Sequence, residues 1–122
     1  MQTHITPQGF RYRHRPDGLY EALELWRYKS PRYGKWVKIK QGQVRDGASG
    51  AFDITSLAWW CHDQLCADAC WEDGAPISSW QCANVLRDIL RSEGRLMRSY
   101  YWHWATFLFG CKNPRDNGWF YV

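Results

Sequence analysis

A chain of 122 residues is one domain's worth, and 45% hydrophobic with 23% charged residues excludes a disordered chain. Nine Trp, seven Tyr and five Phe predict a core dense in rings, with some rings left at the surface for a partner. The net charge of +4 is unevenly spread: residues 1–45 carry ten Lys/Arg and three Asp/Glu, residues 46–94 two and eight, residues 95–122 four and one.

Taken in chain order, residues 8–15 read as a strand. Arg11, Arg13 and Arg15 alternate with Phe10, Tyr12 and His14, as on a strand with one solvated face. Pro16-Asp17-Gly18 is a turn. Residues 20–28 fit strand or helix, 30–34 a loop, and 35–39 alternate as a strand, so 20–39 reads as a hairpin. The basic N-terminal part admits a nucleic-acid patch. The favoured reading is basic strands set against an acidic helical layer or a partner.

Residues 41–53 form a Gly-rich connection. Asp53 or Thr55 can then cap a helix running to about Cys70, with Leu57, Cys61, Leu65 and Ala69 on one apolar stripe. Glu72 to Pro76 break it. A second helix starts at Ser78 or Ser79, buries Cys82, Val85, Leu86, Ile89 and Leu90, and stops at Gly94. Asn84, Arg87, Asp88 and Arg91 are expected on its solvated face. A third, strongly aromatic helix runs from about Leu96 to Phe109, and the tail 111–122 is expected to dock on the body. The whole is α+β, one domain over 1–122: a basic strand region (1–45) forming a small N-terminal antiparallel sheet, about three helices (54–110) and the tail.

No apolar run approaches the ~20 residues of a membrane span, and Met1 to Phe10 lacks the apolar region of a signal peptide. The chain is expected in the cytosol or in a particle assembled there. The five cysteines are therefore expected reduced, most of them as small buried hydrophobes.

His62 is the first candidate for chemistry, as a general base on a well-patterned helix beside Asp63. Adjacent helical residues diverge by about 100°, so Asp63 cannot orient His62, but it could hold a cation on the neighbouring face. Asp46-Gly47-Ala48-Ser49 suits a tight turn close to a ligand, and Asp46 with Asp63 could share Ca²⁺ or Mg²⁺. His62, Cys66 and Cys70 at i, i+4, i+8, with Cys82, could hold Zn²⁺, although a helical stripe of cysteines is more often core. His103, between Trp102 and Trp104, is expected among rings.

Four stretches in order resemble a phage and prophage domain family of unknown function: Gly42 to Ser49 with its Asp-Gly-Ala-Ser, His62-Asp63-Gln64-Leu65, the helix Cys82–Gly94, and Leu108-Phe109-Gly110 followed by Gly118-Trp119. The resemblance covers about residues 35–119. It implies a phage-encoded accessory or virion-associated protein of tail or baseplate assembly, in the host cytoplasm or the virion, with other phage structural or assembly proteins as partners. The helix pair also resembles the core of secreted phospholipases A2. That likeness implies a metal-assisted lipid or ester hydrolase, with His62 as base and Asp63, and by extension Asp46, on Ca²⁺.

The departures from the pattern fall on the chemistry. The family's orienting Asp aligns with Ala83, or with Asn84 after a one-residue slip, and neither is a carboxylate. Losing such an Asp typically costs about 10⁴-fold in rate. Ser49 and Asn84 remain as candidate binding residues. The competing functions are the accessory assembly protein, the hydrolase, and a small inhibitor that binds a host protein or nucleic acid.

Overall fold

The computed structural model describes residues 3–45, 56–110 and 112–122. The N-terminal part is antiparallel sheet, as expected. β1 (Thr3–Ile5), β2 (Arg11–His14), β3 (Tyr20–Ala22) and β6 (Val44–Arg45) form one sheet in the order β1-β2-β3-β6, and β4 (Trp26–Lys29) pairs with β5 (Trp36–Ile39) in a second. The expected 20–39 hairpin is thus split. Tyr20–Ala22 pairs with β2 and β6, and only 26–39 is a hairpin. The chain changes sheets at Leu23–Leu25, held by Leu23 N–H to the Arg11 carbonyl and Arg11 N–H to Glu24. The Pro16-Asp17-Gly18 turn forms with Gly18 at φ 86°, and Asp17 accepts the Leu19 N–H.

Alternation on β2 buries Tyr12 and turns Arg11 and Arg13 outward, where they meet Glu24 and Glu21. Arg15 meets Asp17, while Arg27, Arg32 and Lys35 reach Glu72, Asp88 and Asp73 of the helical part. Six of the ten basic side chains before residue 46 are therefore neutralised by carboxylates of this chain. Each exposed pair contributes at most about 1 kcal/mol. Three of these pairs lie within the strand region and three join it to the helical part.

Three long helices follow. α1 (Leu57–Asp68) is capped by Ser56, whose hydroxyl accepts the Ala58 N–H; the expected caps Asp53 and Thr55 lie outside the described residues. Glu93, at the far end of the next helix, accepts the Leu57 N–H. That places a carboxylate on the positive end of the α1 dipole. α2 (Ser79–Ser92) begins with a reciprocal capping box between Ser78 and Gln81, and Gly94 ends it at φ 82°. α3 spans Leu96–Phe109, and a six-residue α4 (Lys112–Asn117) lies in the tail.

Residues 117–120 of the tail are hydrogen-bonded to the body. Asn117 donates to the Ala69 and Ile77 carbonyls, and Ser79 N–H, Trp80 N–H and the Ser78 hydroxyl bond to the carbonyls of Gly118, Trp119 and Phe120. The core joins Phe10 and Tyr12 of the sheet, Val37 and Ile39 of the hairpin, Trp59, Trp60 and Leu65 of α1, and Val85, Leu86 and Ile89 of α2. Trp59 and Trp60 stack at 4.7 Å and set their edges against Tyr12 and Phe10. α2 packs against both α1 and α3. No helix among the described residues is long and apolar enough to cross a membrane.

Candidate functional site

Helix α1 positions His62 in the interior, 5% exposed. The Cys66 sulfur, one turn on, is its hydrogen-bonding neighbour among the described residues, 3.5 Å from Nδ1. Cys66 is disulfide-bonded, against the expectation of reduced thiols, while Cys61, Cys70 and Cys82 are free. A disulfide sulfur only accepts, so the contact is a weak N–H···S bond from Nδ1 and fixes no strong base. Burial without a charged partner pushes the His62 imidazole down to about 4. At neutral pH the ring is uncharged, and no carboxylate among the described residues would stabilise its imidazolium.

Asp63 diverges from His62, as helical geometry requires. It is half-buried and lines a shallow cavity of about 350 Å³ with Arg45, Ala67, Lys112 and Asn113. Asp46 and Ser49 lie outside the described residues.

The orienting position on α2 holds Ala83 and Asn84, both buried. Asn84 does orient an imidazole, but that of His103 on α3. The His103 Nε2–H donates to Asn84 Oδ1 at 2.9 Å, and Asn84 Nδ2 donates to the Tyr33 hydroxyl at 2.8 Å. The expected solvated face of α2 is corrected here: Asn84 is 2% exposed, because the hairpin loop and α3 close over it. Arg32 of that loop holds Asp88 with two bonds of 2.8 and 2.9 Å. Desolvation first, then the nearby Arg87 and Arg32 charges, push His103 down to about 4. Trp80 and Trp104 set their rings against it at 4.6 and 5.3 Å, so the expectation that His103 sits among rings holds. This His–Asn–Tyr chain is neutral, and it ties loop, α2 and α3 together.

Ca²⁺ or Zn²⁺ binding does not fit the described donors. No three His, Cys, Asp or Glu side chains come together among the described residues. The cavity at Asp63 is flanked by the cations Arg45 and Lys112, which oppose a divalent ion. Cys66, in a disulfide, is not available as a thiolate ligand for a His62–Cys66–Cys70 zinc site.

A cavity of about 530 Å³ lies between β5, α1 and the loop before α2. On its polar wall Gln64 accepts from Gln43 and Arg45 and donates to Asp68, with Lys38, Lys40 and Glu72 also lining it.

The face of α3 directed away from α2 differs in kind. α3 buries Ser99, His103, Thr106 and Phe107, and exposes Leu96, Met97, Tyr100, Tyr101, Trp104, Leu108 and Phe109. The buried hydroxyls are satisfied locally, Ser99 by the Leu96 carbonyl and Thr106 by the Trp102 carbonyl. Six ring and aliphatic side chains line an apolar groove of about 450 Å³. The seven large side chains exposed on this helix are 45–87% exposed. Monomers rarely leave more than ~300–600 Å² of contiguous apolar surface.

Reading α3 as an aromatic helix found these residues but not their direction. The one available signal was the small polar set Ser99, His103 and Thr106 at helical spacing. Comparison with protein-family profiles, curated protein sequences and solved structures found no match for this chain.

Proposed function

We propose that this protein is a non-catalytic docking protein of the phage accessory or virion-assembly kind that its motifs resemble, acting in the host cytoplasm or the virion. The observation that carries the reading is that helix α3 buries Ser99, His103 and Thr106 and exposes Tyr100, Tyr101, Trp104 and Phe109. Water-exposed rings at this density are costly in isolation and are stabilised by a partner that covers them. The histidines support the same reading. His62 is buried with a sulfur neighbour, and His103 is committed to Asn84, so neither offers an oriented base at a cleft.

Mass spectrometry of purified particles and assembly intermediates tests the proposal. Wild-type protein is expected in at least one of them, and Trp104→Asp is expected to be lost from it while remaining folded. Absence of the wild type from both removes the assembly reading. The hydrolase is the rival, and it is scored by ester turnover with and without Ca²⁺ or Zn²⁺. Equal rates for wild type and His62→Ala are expected, and a clear loss in the variant would restore the enzyme.

A further inference from the structure

We propose that the cleft along the outer edge of β5 binds an extended segment of another protein, with an acidic residue at its centre and an apolar residue on either side. The site shares no residue with α3 and does not rest on the docking reading above. Ser30 N–H bonds to the Lys35 carbonyl, and β4 and β5 pair as Lys29↔Trp36 and Arg27↔Lys38. Bonded and non-bonded pairs alternate along an antiparallel ladder, so Trp36 and Lys38 point their main-chain N–H and C=O away from β4. On either side of Lys38 this outer edge is bonded from within the chain. The Glu72 N–H bonds to the Trp36 carbonyl at 3.0 Å, and the Lys40 N–H donates to Gln43 Oε1 at 3.1 Å. Between them the Lys38 N–H and C=O meet no protein partner among the described residues and open on the 530 Å³ cavity. Trp36 and Lys40 stand roughly 13 Å apart along the strand, which leaves room for one paired residue of an incoming chain.

Side chains select among occupants. A residue that pairs with Lys38 sets its own side chain on the Lys38 face, directly across from it. That face is basic. Arg27 lies opposite Lys38, and Lys29 opposite Trp36. Arg27 is held by Glu72 at 3.0 Å, whereas Lys29, Lys38 and Lys40 form no ion pair among the described residues. The α1 wall of the cavity carries Asp68, which accepts from Gln64, so Lys38 and Lys40 outweigh it. An acidic residue at the paired position therefore meets Lys38. Its two neighbours point the other way, toward the apolar walls made by Val37, Leu65 and Trp71, each at most 3% exposed. Main-chain bonds give such a segment its affinity and alternate side chains its specificity. A second copy set edge to edge would bring Lys38 against Lys38, and lysines on an open edge disfavour that pairing.

The test titrates the full chain, by two-dimensional NMR, with short peptides blocked at both ends and carrying Val-Glu-Val or Val-Lys-Val at the centre. The Glu peptide is expected to bind, to move the Lys38 amide resonance and to slow exchange of the Lys38 N–H at least tenfold at saturation. Its Lys twin is expected to bind at least tenfold more weakly. So is a Glu peptide methylated on the central nitrogen, which has no donor for the Lys38 carbonyl. Lys38→Glu is expected to weaken the Glu peptide at least tenfold and to strengthen the Lys peptide, with thermal melts confirming that the variant folds. The proposal is overturned if no peptide slows exchange at Lys38, if Glu and Lys peptides bind alike, or if the methylated peptide binds as tightly as its parent. Tighter binding of the free tripeptide than of the blocked one assigns the cleft to small peptides, and sedimentation as a dimer that protects the Lys38 N–H assigns it to a second copy; either result also overturns it. Loss of Trp104→Asp from the particle reads α3 alone, so failure at Lys38 leaves the docking reading standing.

Discussion

Helices α1 and α3 flank α2 and are both rich in rings, yet they are turned in opposite senses. α1 buries nine of its twelve residues, Trp59 and Trp60 among them. α3 buries four of fourteen, and three of those are Ser, His and Thr. In α1 the rings meet sheet on one side and α2 on the other, so the helix is enclosed. In α3 Ser99, His103 and Thr106 are buried with hydrogen bonds that close locally or on Asn84, and Tyr100, Tyr101, Trp104 and Phe109 are left outside while Phe107 is buried. Trp59 and Trp60 are therefore enclosed in one helix, while Trp104 is half-exposed on the other.

The sharpest way to break that contrast is a pair of Trp substitutions. Trp59→Ala is expected to cost about 3–5 kcal/mol in denaturant unfolding, since it empties a fully buried site against Tyr12 and Trp60. Trp104→Ser is expected to stay within about 1 kcal/mol of wild type. Comparable losses in the two would mean that α3's rings are structural and would sink the docking reading.

Acid probes both helices at once. His62 and His103 have pKa values near 4 in the fold, against an ordinary 6.5 once unfolded. The unfolded chain therefore binds protons first. Stability is fully present above about pH 6.5 and falls as pH drops toward 4, by at most about 3 kcal/mol per ring. Urea titrations from pH 7 to 4 should show this slope, and it should be shallower in His62→Leu and in His103→Leu. An unchanged slope in either variant would show that the ring concerned is solvated.

Asn84→Ala isolates the α3 contact. It leaves the His103 N–H without its acceptor and the Tyr33 hydroxyl without its donor, at an expected cost of about 1–3 kcal/mol. Its readout in two-dimensional NMR is a change of the His103 ring resonances with those of His62 unmoved. Movement of both would instead mean that Asn84 reaches the α1 histidine, as the phospholipase-like alignment supposes. The smallest effect is at the rim: Arg11→Gln is expected to change stability by under about 1 kcal/mol, because its pair with Glu24 is exposed.

Local chemistry was legible wherever it was sufficient. Ser78 and the glycines at 94 and 110 mark the bounds of α2 and α3, and Pro16-Asp17-Gly18 marks the turn between β2 and β3, because capping and turn preferences act within a few residues. The break between β3 and β4 was not legible, since Tyr20-Glu21-Ala22-Leu23-Glu24-Leu25 contains no Gly or Pro. It is set by which strands lie alongside. The candidate site was legible only as residue types. His62 and Asn84 were visible as polar positions, but a helical wheel does not say that Asn84 would face His103.

Length, charge balance and the order of elements follow from the amino-acid sequence alone, because turns, caps and periodicity are local properties. The direction of α3 was decided by tertiary packing. A helix with apolar residues around most of its circumference has no preferred inner face by hydropathy, and the outcome depended on Asn84 being able to receive His103 while small hydroxyls lay inward. The exposed apolar face of α3 is a product of that choice.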